Sequence, residues 1–415
     1  MKFQKTLINT RQPLSLKLND YLIKQPNKYS LGYYEVGDKK FYSKLAAILY
    51  SQEVNGFPQW NFHNEVFASV DWQTEPLESV TELYTKRARQ LREKYDYIVL
   101  YFSGGSDSRT MLETFLSNNI KVDEIYVQNI ESVNLSLVHN GDAFEAGNHL
   151  AEIPEIVTPY LKKLSKYYPD IKITYHDWTK DMLESYNSSE WILRSSSRLS
   201  SNDLAKQNQY LGTDNFKNLY DAGKLVAHVQ GVEKPKLHLI DNKWYIGFVD
   251  KSLSVGSSPG FEMQNFHNEE PFYWQPDVPE LMVKQAHLIK NYFEANPELK
   301  QLFGKGKFTT TEGETKMLNI VKSLIYPNWD LSIRQSPKNA GSSIFNEKDR
   351  WFWDGHVDHK GVKIWKEGLK TINELVNPIW FNDNESIYSD IVGCFSPFYY
   401  IGDSVSTVEN KNEVN

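Results

Sequence analysis

Two rhythms of apolar residues run along this chain. From Pro76 onward, Leu77, Val80, Leu83, Tyr84, Ala88 and Leu91 recur at helical spacing, and charged residues fill the opposite face. Pro76 suits a first helical position, where its missing N–H costs nothing. Residues 97–102 then form an unbroken apolar run, as expected of a strand covered on both faces of a parallel sheet. After it comes Ser103-Gly104-Gly105-Ser106-Asp107-Ser108. Met111, Leu112, Phe115 and Leu116 mark a helix ending near Asn118 and Asn119, and residues 120–128 read as the next strand. A strand–loop–helix–strand unit of this kind predicts a right-handed crossover in a parallel sheet.

The rhythm continues downstream. Residues 144–167 read as a helical stretch interrupted by Pro154 and Pro159, 171–175 as a strand and 179–185 as a short helix. Residues 225–229 are a second buried-type strand, ending at Gln230 and Gly231. Segments 237–240 and 244–248, joined through Asp241, Asn242 and Lys243, predict a hairpin. Helices are expected over 280–295, 312–325 and 362–375. Near the start, 29–36 alternates, Gly37 and Asp38 read as a turn, and 41–50 as a short helix. The expected organisation is a small α+β region over 1–75, an α/β domain over 76–255 and a mostly helical region over 256–415.

The 103–108 loop carries the candidate chemistry. Two glycines between a buried strand and a helix remove the Cβ atoms that would block backbone approach to an anion. The following helix offers N–H groups and the positive end of its dipole. Ser103, Ser106 and Ser108 add hydroxyls. The Gly-Lys-Ser/Thr ending of a Walker loop is absent, and so is the glycine spacing of a dinucleotide fingerprint. Asp107 beside a phosphate site calls for a cation between the two, and Mg²⁺, a hard ion held by oxygens, is the natural choice.

Ser-Gly-Gly-Ser-Asp-Ser after a buried strand resembles the PP-loop of the ATP pyrophosphatase superfamily, in particular the asparagine synthetase C-terminal domain and β-lactam synthetase branch. The resemblance covers about residues 97–128, with weaker support to about 236. It implies a HUP-like, Rossmann-like α/β domain with ATP across the carboxyl ends of the strands, contacted by Ser103, Gly104, Gly105, Ser106, Asp107 and Ser108. Val127 and Gln128 would meet adenine through backbone groups, with Gly231 at the same sheet edge. Asp107 and Glu233 would share Mg²⁺, and Lys234 would neutralise phosphate or a developing oxyanion, although the family's Gly-Ala-Asp-Glu run is not present. The implied activity is an AMP-forming ligase that adenylates an acceptor oxygen, releases pyrophosphate and passes the activated group to an amine or ammonia. In that branch the glutaminase nucleophile follows Met, and Lys2 stands there, so ammonia would not come from glutamine.

Other segments add candidates. Arg334, Lys338, Lys348 and Arg350 form a basic stretch around Gly341, which suits closure over pyrophosphate, with Lys338 in a catalytic role, or a solvated face. Asn140, Asp142, Glu145 and His149 could line the substrate side or start a helix. Asp354, His356, Asp358 and His359 have metal-like spacing but read as a polar turn. Cys394 reads as a buried structural residue; the rival uses of this loop, thiolation and PAPS-reductase-like chemistry, need reactive cysteines. A nucleotide-binding module without turnover is the remaining alternative.

Composition narrows the partners. A net charge of −7 leaves nucleic acid only a local basic groove. A single cysteine excludes an intrachain disulfide and a cysteine-based zinc site, which suits a cytoplasmic setting. No apolar stretch approaches the length of a membrane span. The aromatic share, 14%, is high and is read as large core side chains rather than stacking surfaces for a planar ligand. The partners expected are thus ATP, Mg²⁺ and an unidentified acceptor.

Overall fold

The computed structural model describes residues 32–129, 153–188, 191–194, 214–231, 236–250, 267–304, 311–327, 353–381 and 391–405. Strands β1 (Tyr33–Val36) and β2 (Lys39–Phe41) form a hairpin, and helix α1 (Lys44–Val54) follows. The Ser43 side chain caps α1 by accepting from Ala46 N at 3.2 Å, so this helix starts three residues later than the expected 41. Strand β3 (Gln59–Asn61) completes an antiparallel sheet in the order β2-β1-β3, and a short helix, α2 (Asn64–Phe67), leads on.

Helix α3 (Val80–Lys94) begins four residues after Pro76, not at it. Ser79 and Glu82 form a reciprocal capping box, which satisfies two end donors where Pro76 could satisfy none. Leu77 is left fully exposed. Then come β4 (Tyr97–Tyr101), α4 (Ser106–Ser117), β5 (Glu124–Asn129), a π turn at Ile153–Val157, α5 (Thr158–Leu164), β6 (Lys172–Asp177) and α6 (Thr179–Ser185). Two short helices, α7 (Trp191–Arg194) and α8 (Asp214–Asp221), precede β7 (Val226–Gln230). The hairpin β8 (Lys236–Ile240) and β9 (Lys243–Gly247) turns through Asp241 and Asn242, both at positive φ, as a primed two-residue turn requires. After β10 (His267–Pro271) come α9 (Pro279–Ala295), α10 (Pro297–Gly304), α11 (Thr311–Ile325), α12 (Lys360–Leu375) and β11 (Tyr399–Asp403).

The centre of the fold is a five-stranded, wholly parallel sheet in the order β10-β7-β4-β5-β6. The molecule is therefore α/β, and the sheet is compatible with a Rossmann-like domain. Chain order runs outward from β4 in one direction through β5 and β6, then returns to the other side of β4 for β7 and β10. The reversal lies between β4 and β7, and in open parallel sheets that crevice, at the carboxyl ends, is where ligands bind.

Alternation assigns the two faces. Ile98, Leu100, Ile125, Val127, Ala227 and Val229 join Met111, Leu112 and Phe115 of α4 in the main core. Val99, Tyr101, Tyr126 and Val226 face the other way and pack with Phe216 and Tyr220 of α8. Large aromatic side chains, among them Trp60, Phe62, Phe67, Trp72, Phe248, Trp274 and Tyr399, fill the same main core, so the aromatic content goes largely into packing. The antiparallel sheet β11-β9-β8 ties the chain's end to its start: Trp60 N donates to Phe395 O at 3.1 Å. Beneath that seam Lys44 and Asp250 form a buried ion pair at 2.7 Å, with Tyr34 OH also donating to Asp250. No helix among the described residues is long and apolar enough to cross a membrane.

Strand β10 lies past residue 255 and has no apolar run; its sequence is His-Asn-Glu-Glu-Pro. Its glutamates have partners inside. Gln230 Nε2 donates to Glu269 Oε1 at 2.9 Å, and Glu270 meets the wholly buried Arg87 of α3 at 2.7 Å. Lys94, Tyr95 OH and Gln275 Nε2 also donate to Glu270. Burial by itself would raise the Glu270 pKa, but the Arg87 and Lys94 charges and these hydrogen bonds carry it below the ordinary carboxylate range. A depressed carboxylate contributes stability that is complete above its unfolded pKa and is lost as pH falls through the folded one. Glu270→Gln should cost about 3–5 kcal/mol near neutrality by stranding the Arg87 charge. Urea midpoints measured from pH 7 downward should show the gap to the parent closing as pH falls below the ordinary glutamate value of about 4.3; a constant gap would contradict this account.

Candidate functional site at the carboxyl edge of the parallel sheet

Residues 103–105 leave the end of β4 at the switch point and turn into α4. Gly104 takes φ +78°, and a Cβ there would lie 2.8 Å from Val157 Cγ2 and 3.1 Å from Ile156 Cγ2. Both the backbone angle and the π turn packed against it demand glycine. Gly105 differs: a Cβ there would meet only Ser103 Oγ, at 3.5 Å. Among the described residues no backbone lies within 4 Å of that Cβ position. Gly105 is also the N-cap of α4 and brings no side chain to cap the first-turn N–H groups. The first intrahelical bond is Arg109 N to Gly105 O, at 3.0 Å.

The three serines divide the work. Ser108 Oγ accepts from Ser103 N at 3.2 Å, donates to Gly105 O at 3.1 Å and lies 3.3 Å from Ser103 Oγ. Two of the hydroxyls expected to face a ligand thus brace the loop from within. Ser106 is 5% exposed, and its Oγ has no hydrogen-bond partner among the described residues. A buried hydroxyl left in that state costs of order 1–3 kcal/mol unless something else satisfies it.

Asp107 is held by tyrosines from distant parts of the chain. Tyr273 OH, just past β10, donates to Asp107 O at 2.6 Å, and Tyr326 OH, at the end of α11, donates to Asp107 Oδ1. Tyr84 OH in turn donates to Ile325 O at 2.7 Å. Burial chiefly raises the Tyr273 pKa, helped by neighbouring Tyr84 and by the Asp107 charge; burial does the same for Tyr84, again with Asp107 adding to it. Both phenols therefore stay protonated as donors. Nothing local in the sequence marks Tyr273 or Tyr326, which reach the loop across 166 and 219 residues.

Gly231 follows β7 directly. A Cβ there would lie 2.9 Å from Asp107 C, 3.0 Å from Asp107 O and 3.0 Å from Ser108 N, so the two sheet halves meet backbone to backbone. On the other side of β4, the β5 register with β4 ends at Tyr126 and that with β6 continues to Asn129. Val127 and Gln128 thus overrun β4 at the same edge as the loop. The Val127 side chain itself is wholly buried, so only its backbone is placed to meet a ligand.

The structure therefore gathers Ser103, Gly104, Gly105, Ser106, Asp107, Ser108, Gly231, Val127 and Gln128 at one edge of one sheet. Glu233, Lys234 and Lys338 lie outside the described residues, as do Asn140, Asp142, Glu145, His149, Arg334, Lys348 and Arg350. Among the described residues no group of three His, Cys, Asp or Glu side chains is arranged to hold a metal. His359 instead caps α12, its Nδ1 accepting from Gly361 N at 3.1 Å, and Asp354 and Asp358 face Lys366 and Lys363. Cys394 is buried, and its N–H donates to Asp250 Oδ1 at 3.0 Å.

No protein-family model matches this chain, and no curated protein sequence matches it.

The contact at Gly231 is testable. Gly231→Ala sets a methyl against backbone that cannot rotate away, so it should destabilise the fold by about 1–3 kcal/mol. Thermal or urea unfolding reads the change; a variant as stable as the parent would show that the two segments are not in contact.

Proposed function

We propose that this edge binds ATP and that the chain uses it as an AMP-forming ligase of the PP-loop type. The observation that carries the reading is the buried Ser106 hydroxyl, without a partner among the described residues, beside a Gly105 whose Cβ position meets no backbone, at a helix N-terminus on the switch point of a parallel sheet. Phosphate oxygens there would satisfy the hydroxyl and the first-turn N–H groups together. The overrun of Val127 and Gln128 leaves backbone groups for an adenine edge.

The donor set also suits Mg²⁺ in its usual manner, one or two protein carboxylates with the remaining positions taken by phosphate and water. Asp107 would be that carboxylate, aimed by Tyr326, with Glu233 from the sequence motif as the second. Bound there, Mg²⁺ would neutralise charge on the leaving pyrophosphate. Lys234 and Lys338 keep their proposed roles as cations toward phosphate.

In this reading an acceptor oxygen attacks the α-phosphorus. The bond from that phosphorus to the bridging oxygen breaks, and pyrophosphate leaves with the electron pair. An amine or ammonia then attacks the activated carbon, loses a proton, and AMP departs. The first-turn N–H groups and Ser106 stabilise the first step because they are fixed before charge develops. Cys394, buried against the Asp250 cluster, gives thiol chemistry no support.

Gly105→Ala separates binding from folding. It should cost under about 1 kcal/mol of stability, since the methyl meets no backbone, yet weaken ATP binding by about tenfold or more by filling the space phosphate would take. Equilibrium dialysis with labelled ATP and Mg²⁺ measures it. Unchanged binding would remove the reading. Asp107→Asn should lower pyrophosphate release with an active acceptor by about 10²-fold or more. ADP as the product would exclude adenylation, and binding without pyrophosphate release for any acceptor would favour a non-catalytic nucleotide-binding module.

A further inference from the structure

A cavity of about 780 Å³ lies along the outer side of α4, between α3 and α5. That size lies within the range of small-molecule sites. Four of its wall residues pack on the 103–108 loop or adjoin residues that lie in or against it. Arg109, on the wall, directly follows Ser108 in the chain. Ile156, also on the wall, packs against the Cβ position of Gly104. Tyr160 stacks on Phe102, the residue before the loop, with ring centroids 5.3 Å apart. Pro327 follows Tyr326, whose hydroxyl holds Asp107. A molecule in this cavity would reach the loop from the side of α4.

The chemistry of the walls is uneven. At the loop end the Arg109 guanidinium sits over the Tyr160 ring, 4.4 Å from its centroid, while Arg109 Nε is 3.2 Å from Glu113. Tyr160 OH donates to the same carboxylate at 3.4 Å. Glu113 is 45% exposed and Arg109 19%, so the carboxylate that holds Arg109 can turn out to water and leave a planar fork suited to another carboxylate. Farther along are Lys163 and the rings of Tyr167 and Tyr168, both exposed. The cavity therefore sets two cations, Arg109 and Lys163, beside exposed aromatic rings.

We infer that this cavity is the acceptor site of the ligase reaction and that it takes an aryl carboxylate, with the carboxylate on Arg109 and the ring beside Tyr167 and Tyr168. The inference rests on the nucleotide reading above: it places the attacking carboxylate at the end of the cavity that adjoins the loop.

The probes are phenylacetate, 4-hydroxyphenylacetate and cyclohexylacetate, titrated at millimolar concentration into the full chain by ligand-observed NMR. Each titration is run with and without the α,β-methylene analogue of ATP. The aryl acids should bind, and cyclohexylacetate, with equal charge and no aromatic face, should bind several-fold more weakly. Arg109→Gln should weaken the aryl acids by about tenfold or more, and Arg109→Lys, which keeps the charge without the fork, should weaken them too. Tyr167→Ser, at a position 72% exposed and so safe for folding, should weaken them several-fold. The affinity of each variant for the ATP analogue should stay within about twofold of the parent, as these side chains lie outside the loop.

Failure of both aryl acids to bind the parent chain, with or without the analogue, would overturn the inference. So would unchanged affinity in both Arg109→Lys and Tyr167→Ser. If the aryl acids bind through Arg109 but Gly105→Ala leaves ATP binding intact, the cavity stands as a binding site and the nucleotide reading falls. If ATP binds through Gly105 and the aryl acids do not bind, the reverse holds.

Discussion

A guanidinium cut off from water must have its charge met inside the protein, and Arg87 is wholly buried. Glu270 meets it at 2.7 Å, and Pro271 O takes a second bond from the same nitrogen at 3.2 Å. Replacing both partners with apolar groups would cost little, whereas losing one would cost several kcal/mol. The pair therefore fixes position more than it adds stability. It ties the helix before the loop to the last strand of the parallel sheet. Two residues past Pro271, Tyr273 reaches back to the Asp107 carbonyl. The loop's first helical turn is thus held through a strand that enters the chain more than 150 residues after it.

The same economy appears within the loop. Gly104 is glycine because of its φ and the π turn behind it, and Gly231 because backbone lies against it. Ser103 and Ser108 spend their hydroxyls on each other and on the loop backbone. What is left over is Ser106, beside a Gly105 whose Cβ position meets no backbone. A loop braced in this way keeps its donors fixed in the absence of a ligand, which is the condition for electrostatic stabilisation without reorganisation.

The aromatic residues serve two different ends. In the core, rings such as Phe248 and Trp274 stack at 5.4 Å and join the N-terminal layer to the C-terminal strands. Around α4, tyrosines act as donors and as walls: Tyr273 and Tyr326 on Asp107, Tyr160 between Phe102 and Arg109. Tyrosine suits both uses because its ring packs while its hydroxyl bonds.

Period and punctuation in the sequence were enough to place β4, α4, β7, the β8–β9 hairpin and the long C-terminal helices, because each has a local cause: an unbroken apolar run, a helical stripe, paired turn residues. They also singled out the 103–108 loop, because glycine between a strand and a helix leaves a local mark, and Gly231, because it ends a buried-type strand. The start of α3 was misplaced because Pro76 outweighed the Ser79–Glu82 box. Strand β10 has no apolar run to mark it, because its buried glutamates have partners on α3 and β7. The sequence by itself determined the segments that carry a local pattern and marked the loop at 103–108 between a strand and a helix. Only the tertiary structure decided which serine hydroxyl stays without a partner among the described residues, which tyrosines hold Asp107 and where a cavity opens beside them. Those outcomes depend on contacts between residues far apart in the chain, and a short-range pattern carries no record of them.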